Sequence, residues 1–200
     1  MAVYGRPLLR DLFDDAPTPH IAHPPRTHRR DYYVATDGSF VEGGGGIGAI
    51  IETGTGERLL RIAREDDSPD NNVAEYRALH LGLDALAERV PSTARVGVLV
   101  DHNDLAANVN AATLGIRHPD WPAGPVSVPE ASSHHWRGIR ARIGGFAGVR
   151  AACLNSDQNP AHVLANAPDE YAHVNDETGW IERDWEIPPP SRADRHSGSD

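Results

Sequence analysis

Residues 32–40 read YYVATDGSF, and the way this stretch ends decides the fold. Tyr32 to Thr36 are aromatic, β-branched or small, the composition of a buried strand. The run then stops on Asp37, with Gly38 directly behind it. An Asp-Gly pair after a strand is an ordinary turn signal. The other reading is that a carboxylate closes the strand because one is needed at the edge of a sheet. The two part on what the rest of the chain puts beside Asp37.

Working outward, GIGAIIE (46–52) is a second strand preceded by the run Gly43–Gly46, TGTG (53–56) a turn, and RLLRIA (58–63) a third strand. Three strands so closely joined form an antiparallel meander. Residues 72–90, NVAEYRALHLGLDALAERV, have the period of an amphipathic helix ended by Pro91. RVGVLVD (95–101) is a continuous apolar run, as in a strand covered on both faces. Residues 103–112 read as a helix and 115–131 as a Pro/Gly-rich loop. Residues 134–143 are a short helix, 146–154 a weaker strand and 159–167 a last helix. A helix between the third and fourth strands permits a right-handed crossover that lays strand four parallel to strand one. The expected fold class is α/β: a mixed five-stranded sheet, three strands antiparallel and then parallel ones, with helices on both faces.

Strand four ends on Asp101 as strand one ends on Asp37. Parallel neighbours lie about 4.8 Å apart, so both acids would share the carboxyl-end edge, where open α/β sheets place ligands. Two carboxylates so close repel, and one takes up a proton unless a cation sits between them. Glu75 adds a third. It falls on the helical stripe of Leu79, Leu83 and Leu86, facing inward. It has two readings: a metal ligand, or the third residue of a capping box begun by Asn72.

The bulk composition bounds the class. Two hundred residues make one ordinary domain with tails. Residues 1–30 carry five prolines and no sustained period, and are expected as a flexible arm in which His20, His23 and His28 are solvated. The domain is expected over 31–167, with a C-terminal extension over 168–200 that is disordered from about residue 188. No apolar run approaches a membrane span, and the start does not read as a secretory signal, so the expected location is cytoplasmic. The single cysteine, Cys153, excludes an internal disulfide framework and reads as a small core thiol. Acids outnumber bases 29 to 19, and every base is arginine. Adaptation to high salt and a GC-rich genome both account for that. The net charge of −10 argues against general nucleic-acid binding, though not against contacts that are local or carried by metal ions.

DGS after the first strand, the glycine-rich hairpin, NNVAEYRAL, LVDHNDLAANVN and NPAHVLANA occur in one order. In that order they resemble the type 1 ribonucleases H of the RNase H-like superfamily, over residues 32–167. The resemblance implies an endonuclease that cuts the RNA strand of an RNA–DNA hybrid with two Mg²⁺ or Mn²⁺ ions, and no protein partner. Asp37 would bridge both ions, while Glu75 and Asp101 would hold the one on the leaving-group side. Asn71 and Asn72 resemble the family's paired asparagines, which touch the hybrid. Gly38, Ser39 and the Gly43–Gly46 run would lie along the strand.

The pattern departs at its fourth acid. Where the motif reads A-D-x-L-A, this chain has Ala161, His162, Val163, Leu164 and Ala165, resembling a plant-type branch of the superfamily. A neutral imidazole can ligate and suits Mn²⁺ better than Mg²⁺. The expectation is a Mn²⁺ preference, with activity falling below about pH 6.5, where an ordinary imidazole protonates. Asp157, five residues upstream of His162, could stand in for the missing acid. NSDQNP has no counterpart of the family's mobile histidine, and no lysine-rich handle is present. Arg137, Arg140 and Arg142 beside Trp136 either grip phosphates or form a solvated helix face anchored by Trp136.

Overall fold

The computed structural model describes residues 6–21, 29–42, 44–120 and 126–176. Its five strands are β1 (Tyr32–Ser39), β2 (Gly45–Thr53), β3 (Arg58–Asp66), β4 (Arg95–Val100) and β5 (Gly148–Cys153), in the spatial order β3-β2-β1-β4-β5. β1 and β3 flank β2 antiparallel, and β4 runs parallel to both β1 and β5. This is the mixed sheet expected. The helices are α1 (Leu9–Asp15), α2 (Asn71–Ala87), α3 (Asn103–Arg117), α4 (Ser133–Gly145) and α5 (His162–Asn166).

Period-two alternation splits the strand residues between two cores. Val34, Ala49, Val96 and Val98 meet Leu79 and Leu83 of α2, Leu105 and Val109 of α3, and Trp136 and Ile139 of α4. Tyr33, Ala35, Ile50 and Leu99 meet Leu9 and Phe13 of α1, Leu164 of α5, and Val174. Among the described residues no helix is long and apolar enough to cross a membrane.

Three expectations are corrected. Residues 9–15, placed in a flexible arm, form α1. Leu9 and Phe13 are buried, Phe13 packs edge-on against Tyr33 at 5.5 Å, and the Leu9 N–H donates to Glu52 at 3.0 Å. The apolar residues at 8, 9, 12 and 13 make one helical stripe, which the prolines on either side obscured. α2 is capped by Asp70, not Asn72: its carboxylate accepts from the Val73 N–H at 2.9 Å. Glu75 therefore lies beyond the capping position and is left to another use. α3 runs on through Arg117, into the stretch expected as a loop.

Beyond residue 167, the chain packs back on the sheet. Val174 is buried, and the Asn175 side chain exchanges two hydrogen bonds with the Ala63 backbone, at 3.0 and 2.7 Å. His23, His28, Gly43, the middle of loop 115–131 and the tail from residue 188 lie outside the described residues.

Candidate active site

β1 and β4 pair with a constant offset, Tyr32 opposite Val96 through Ala35 opposite Leu99. Two residues further, the same offset puts Asp37 opposite Asp101. Alternation turns both toward the face of Tyr33 and Ala35, over which α5 lies. Asn159 fixes α5 there: its side-chain amide donates to the Thr36 carbonyl at 2.9 Å and its oxygen accepts from the Ala161 N–H at 3.1 Å. The start of α5 is thereby tied to the end of β1.

The result is a cluster. Asp37, Asp101 and His162 each offer a ligand atom, and these atoms lie within 4.8 Å of one another. His162 Nδ1 is 3.2 Å from Asp37 Oδ2. Asp37 is only 2% exposed, whereas the His162 side chain is 46% exposed, so the site is closed at its floor and open at its rim.

Glu75 stands behind the cluster on the first turns of α2, also 2% exposed. Gly38 makes that approach possible: a Cβ there would fall 2.3 Å from the Ala74 carbonyl carbon and 2.4 Å from the Glu75 nitrogen. The room at Gly38 is thus filled by α2. Gly46, expected to lie along a nucleic-acid strand, is likewise pressed against the Ala165 carbonyl of α5.

The electrostatics of this floor are those of acids without a counter-charge. Burial first, then the Asp101 carboxylate, push Asp37 up to about 8. Burial, Asp101 and Asp37 push Glu75 up to about 10, with only the Gly38 backbone amide pulling the other way. Glu75 Oε2 and Asp101 Oδ1 are buried with no hydrogen-bond partner among the described residues. Buried carboxylate oxygens lacking a donor call for a cation. A mostly oxygen donor set with one imidazole fits a hard or borderline divalent ion.

The other expected residues fall in three places. Ser39 Oγ donates to Asn166 Oδ1 at 3.0 Å, and Asn166 Nδ2 lies 3.1 Å from His162 Nδ1. Asn71 and Asn72 are exposed at the start of α2, beside the floor acids. Asn72 Oδ1 meets His102 Nε2 at 2.8 Å, and His102 Nδ1 caps α3 by accepting from the Leu105 N–H. Arg137 and Arg140 are exposed on α4, outside the cluster; Arg142 pairs with Asp84 of α2 at 2.6 Å, and Trp136 is the buried anchor. Asp157 is exposed and not among the clustered ligands. Cys153 is half-buried against the first core, and burial together with Asp101 and Glu75 raises its thiol.

Sequence reasoning missed Asn166 and His102. Asn166 sits one helical turn after His162, a spacing that puts both on one face. His102 follows Asp101 directly, at the cap position of α3.

Comparison with protein-family models and with curated proteins returns no match. Solved structures do match. The chain resembles the N-terminal RNase H domain of a Mycobacterium tuberculosis protein, solved fused to maltose-binding protein, with 22% identity and a TM-score of 0.51. That likeness covers 67% of this chain and 95% of the other. RNase H1 from the halophilic archaeon Halobacterium salinarum gives 17% and 0.52, over 70% of this chain and 98% of that one. LC11-RNase H1, solved in complex with an RNA/DNA hybrid, gives 19% and 0.52, over 71% and 99%. At these identities the likeness is one of architecture: this chain has the RNase H-like fold.

Proposed function

We propose that this chain is a divalent-metal-dependent endonuclease that hydrolyses the RNA strand of RNA–DNA hybrids. The observation that carries the reading is the floor of the site: Asp37 and Asp101 clustered with His162, Glu75 close enough to feel both acids, and buried oxygens of Glu75 and Asp101 with no partner among the described residues. A protein domain gains nothing in stability from such crowding, whereas a metal-dependent hydrolase needs it.

Asp37, Glu75, Asp101 and His162 would hold Mg²⁺ or Mn²⁺. Two such ions, when bound, supply an activated water and charge stabilisation for the leaving 3′-oxygen. The chain's own residues do the rest. Asp37 and Glu75, buried, keep bulk water from the floor. Asn166 Nδ2 and Asp37 Oδ2 both meet His162 at its Nδ1, at 3.1 and 3.2 Å, and so fix where that nitrogen lies. Asn71 and Asn72, exposed at the rim, are suited to meet a hybrid in its minor groove, where a 2′-hydroxyl marks the RNA strand. Gly38 and Ser39 border the same rim. Arg137 and Arg140 offer phosphate contacts further out on α4.

Cleavage of an end-labelled hybrid by the wild type and Asp37→Asn tests this directly. RNA-strand products that disappear in the variant are expected; equal cleavage by both, or none from folded wild type with either ion, overturns it. A hybrid-binding module with lost catalysis is the second reading. It draws on His162, an imidazole beside Asp37 at the position where the motif that this sequence resembles carries a carboxylate. Binding of the hybrid without turnover would favour it.

A further inference from the structure

A second group of possible ligands lies on the seam between α2 and α4, built from residues the acidic site does not use. His80 of α2 and His134 and His135, in the first turn of α4, pack ring to ring. Centroids are 5.5 Å apart for His80 and His135, 5.4 Å for His134 and His135, and 6.4 Å for His80 and His134. His80 Nδ1 and His135 Nδ1 are 3.2 Å apart. Tetrahedral coordination with metal–nitrogen bonds of about 2.0–2.1 Å separates two ligating nitrogens by roughly 3.3 Å.

A hydrogen bond between the two rings fits that distance as well, and the surroundings of His80 show that its near nitrogen is available to a metal. Its other nitrogen, Nε2, is 3.5 Å from Asp84 Oδ2, and Asp84 is held in turn by Arg142 Nε, which donates to Oδ1 at 2.6 Å. A carboxylate behind the far nitrogen of an imidazole keeps the proton there, leaving the near nitrogen's lone pair free to ligate; metal-binding histidines are regularly backed in this way. The ring is also seated. A Cβ on Gly138 would fall 2.0 Å from His80 Nε2, so α4 carries a poor helix former at the one place where the ring lies against its backbone. Arg77, one turn earlier on α2, is neutralised by Asp66 and Asp67, at 2.9 and 2.8 Å.

We propose that His80, His135 and His134, with Asp84 behind His80, bind one late first-row transition ion, Zn²⁺ being the type, and so clip α4 to α2. As placed, His134 has no ring nitrogen converging with those of His80 and His135; it is exposed, and would complete the set by rotation of its side chain. Three imidazoles and a water suit Zn²⁺, Ni²⁺ or Co²⁺, in contrast to the oxygen-rich floor of the other site. α2 carries Glu75 and the asparagine pair and α4 carries Arg137 and Arg140, so the ion would fix one relative to the other.

The test is competition of the full chain, stripped of metal, with a chromophoric chelator for Zn²⁺, in millimolar Mg²⁺ to occupy the oxygen-rich site. Wild type and His162→Ala are each expected to hold one tight equivalent, and His135→Gln to lose it. Asp84→Ala should hold it about 10- to 100-fold more weakly. His134→Gln, altered only at an exposed side chain, keeps the test valid should the half-buried variants fold poorly, and is expected to weaken binding several-fold. Co²⁺ should give visible ligand-field bands in wild type and none in His135→Gln. Equal Zn²⁺ affinity in wild type, His135→Gln and His134→Gln overturns the proposal, as does a wild-type equivalent that disappears only in His162→Ala.

Discussion

Buried acids stand at both ends of β1, and their surroundings are opposites. Glu52 pairs with Tyr33 across the β1–β2 ladder, and Asp37 pairs with Gly48 at the other end. Both acids are 2% exposed. Glu52 is met by Arg6 at 3.0 Å, by Arg58 at 3.6 Å and by the Leu9 N–H at 3.0 Å. Asp37 meets other acids and one imidazole. The first acid is part of the scaffold: it ties α1 to the sheet. The second is held in a site whose charge balance has to come from outside the chain. Burial alone does not separate structural from functional acids; the partners do.

The sharpest way to break this contrast is to neutralise one acid at each end. Asp37→Asn is expected to lower hybrid cleavage by on the order of 10³ or more, the scale of losing a principal electrostatic contribution, while leaving the fold intact. Single-turnover cleavage together with a thermal melt measures both. Glu52→Ala should do the reverse. Leaving the buried Leu9 N–H without an acceptor costs about 1–3 kcal/mol of stability, since Arg6 and Arg58 are partly exposed and stay hydrated; denaturant unfolding reads it, with cleavage per folded molecule unchanged. Loss of activity without loss of stability in Glu52→Ala would erase the distinction.

The pH dependence of the metal-free protein sharpens it. Asp37 and Glu75, at about 8 and about 10 when folded, lie above the ordinary carboxyl values near 4 of an unfolded chain. The folded state then holds protons that the unfolded state has released. The resulting stability is complete below about pH 4 and is lost as the pH rises toward 8 and 10. Between pH 5 and 8 the metal-free wild type should therefore lose several kcal/mol, since both groups titrate in the unfolded chain but stay largely protonated in the folded one. Asp37→Asn should show a shallower decline, and added Mg²⁺ should flatten the wild-type curve. A metal-free stability that rises over this range contradicts the assignment. The smallest effect is expected from Asn166→Ala, which removes one of the two groups that meet His162 Nδ1. About 1 kcal/mol is at stake, a several-fold fall in rate or in Mn²⁺ affinity with little change in Tm.

Much of this was legible in the sequence, and the reason is periodicity. Strands β1 to β5 were placed within a few residues by apolar runs and turns, and Asp37 and Asp101 by their position at the ends of two such runs. Glu75 was legible as an inward-facing acid but not as a free one, because its cap depended on whether Asp70 or Asn72 begins α2. A hydrogen bond of 2.9 Å to Val73 decides that. α1 was hidden because two turns of helix between prolines carry little signal. Its stability comes from the tertiary contacts of Leu9 and Phe13 and from Glu52, 43 residues away from Leu9.

By itself the sequence determined the order of elements, the mixed sheet and the acids that end its central parallel strands, since these follow from local patterns of apolar and polar residues. Which groups meet was decided by the tertiary structure. His162 reaches Asp37 across 125 residues, Ser39 reaches Asn166 across 127, and His80 reaches His135 across 55. Contacts of that span depend on how α5 seats on the sheet and how α4 seats on α2. The seating is set by close approaches at Gly46 and Gly138 that no local pattern encodes.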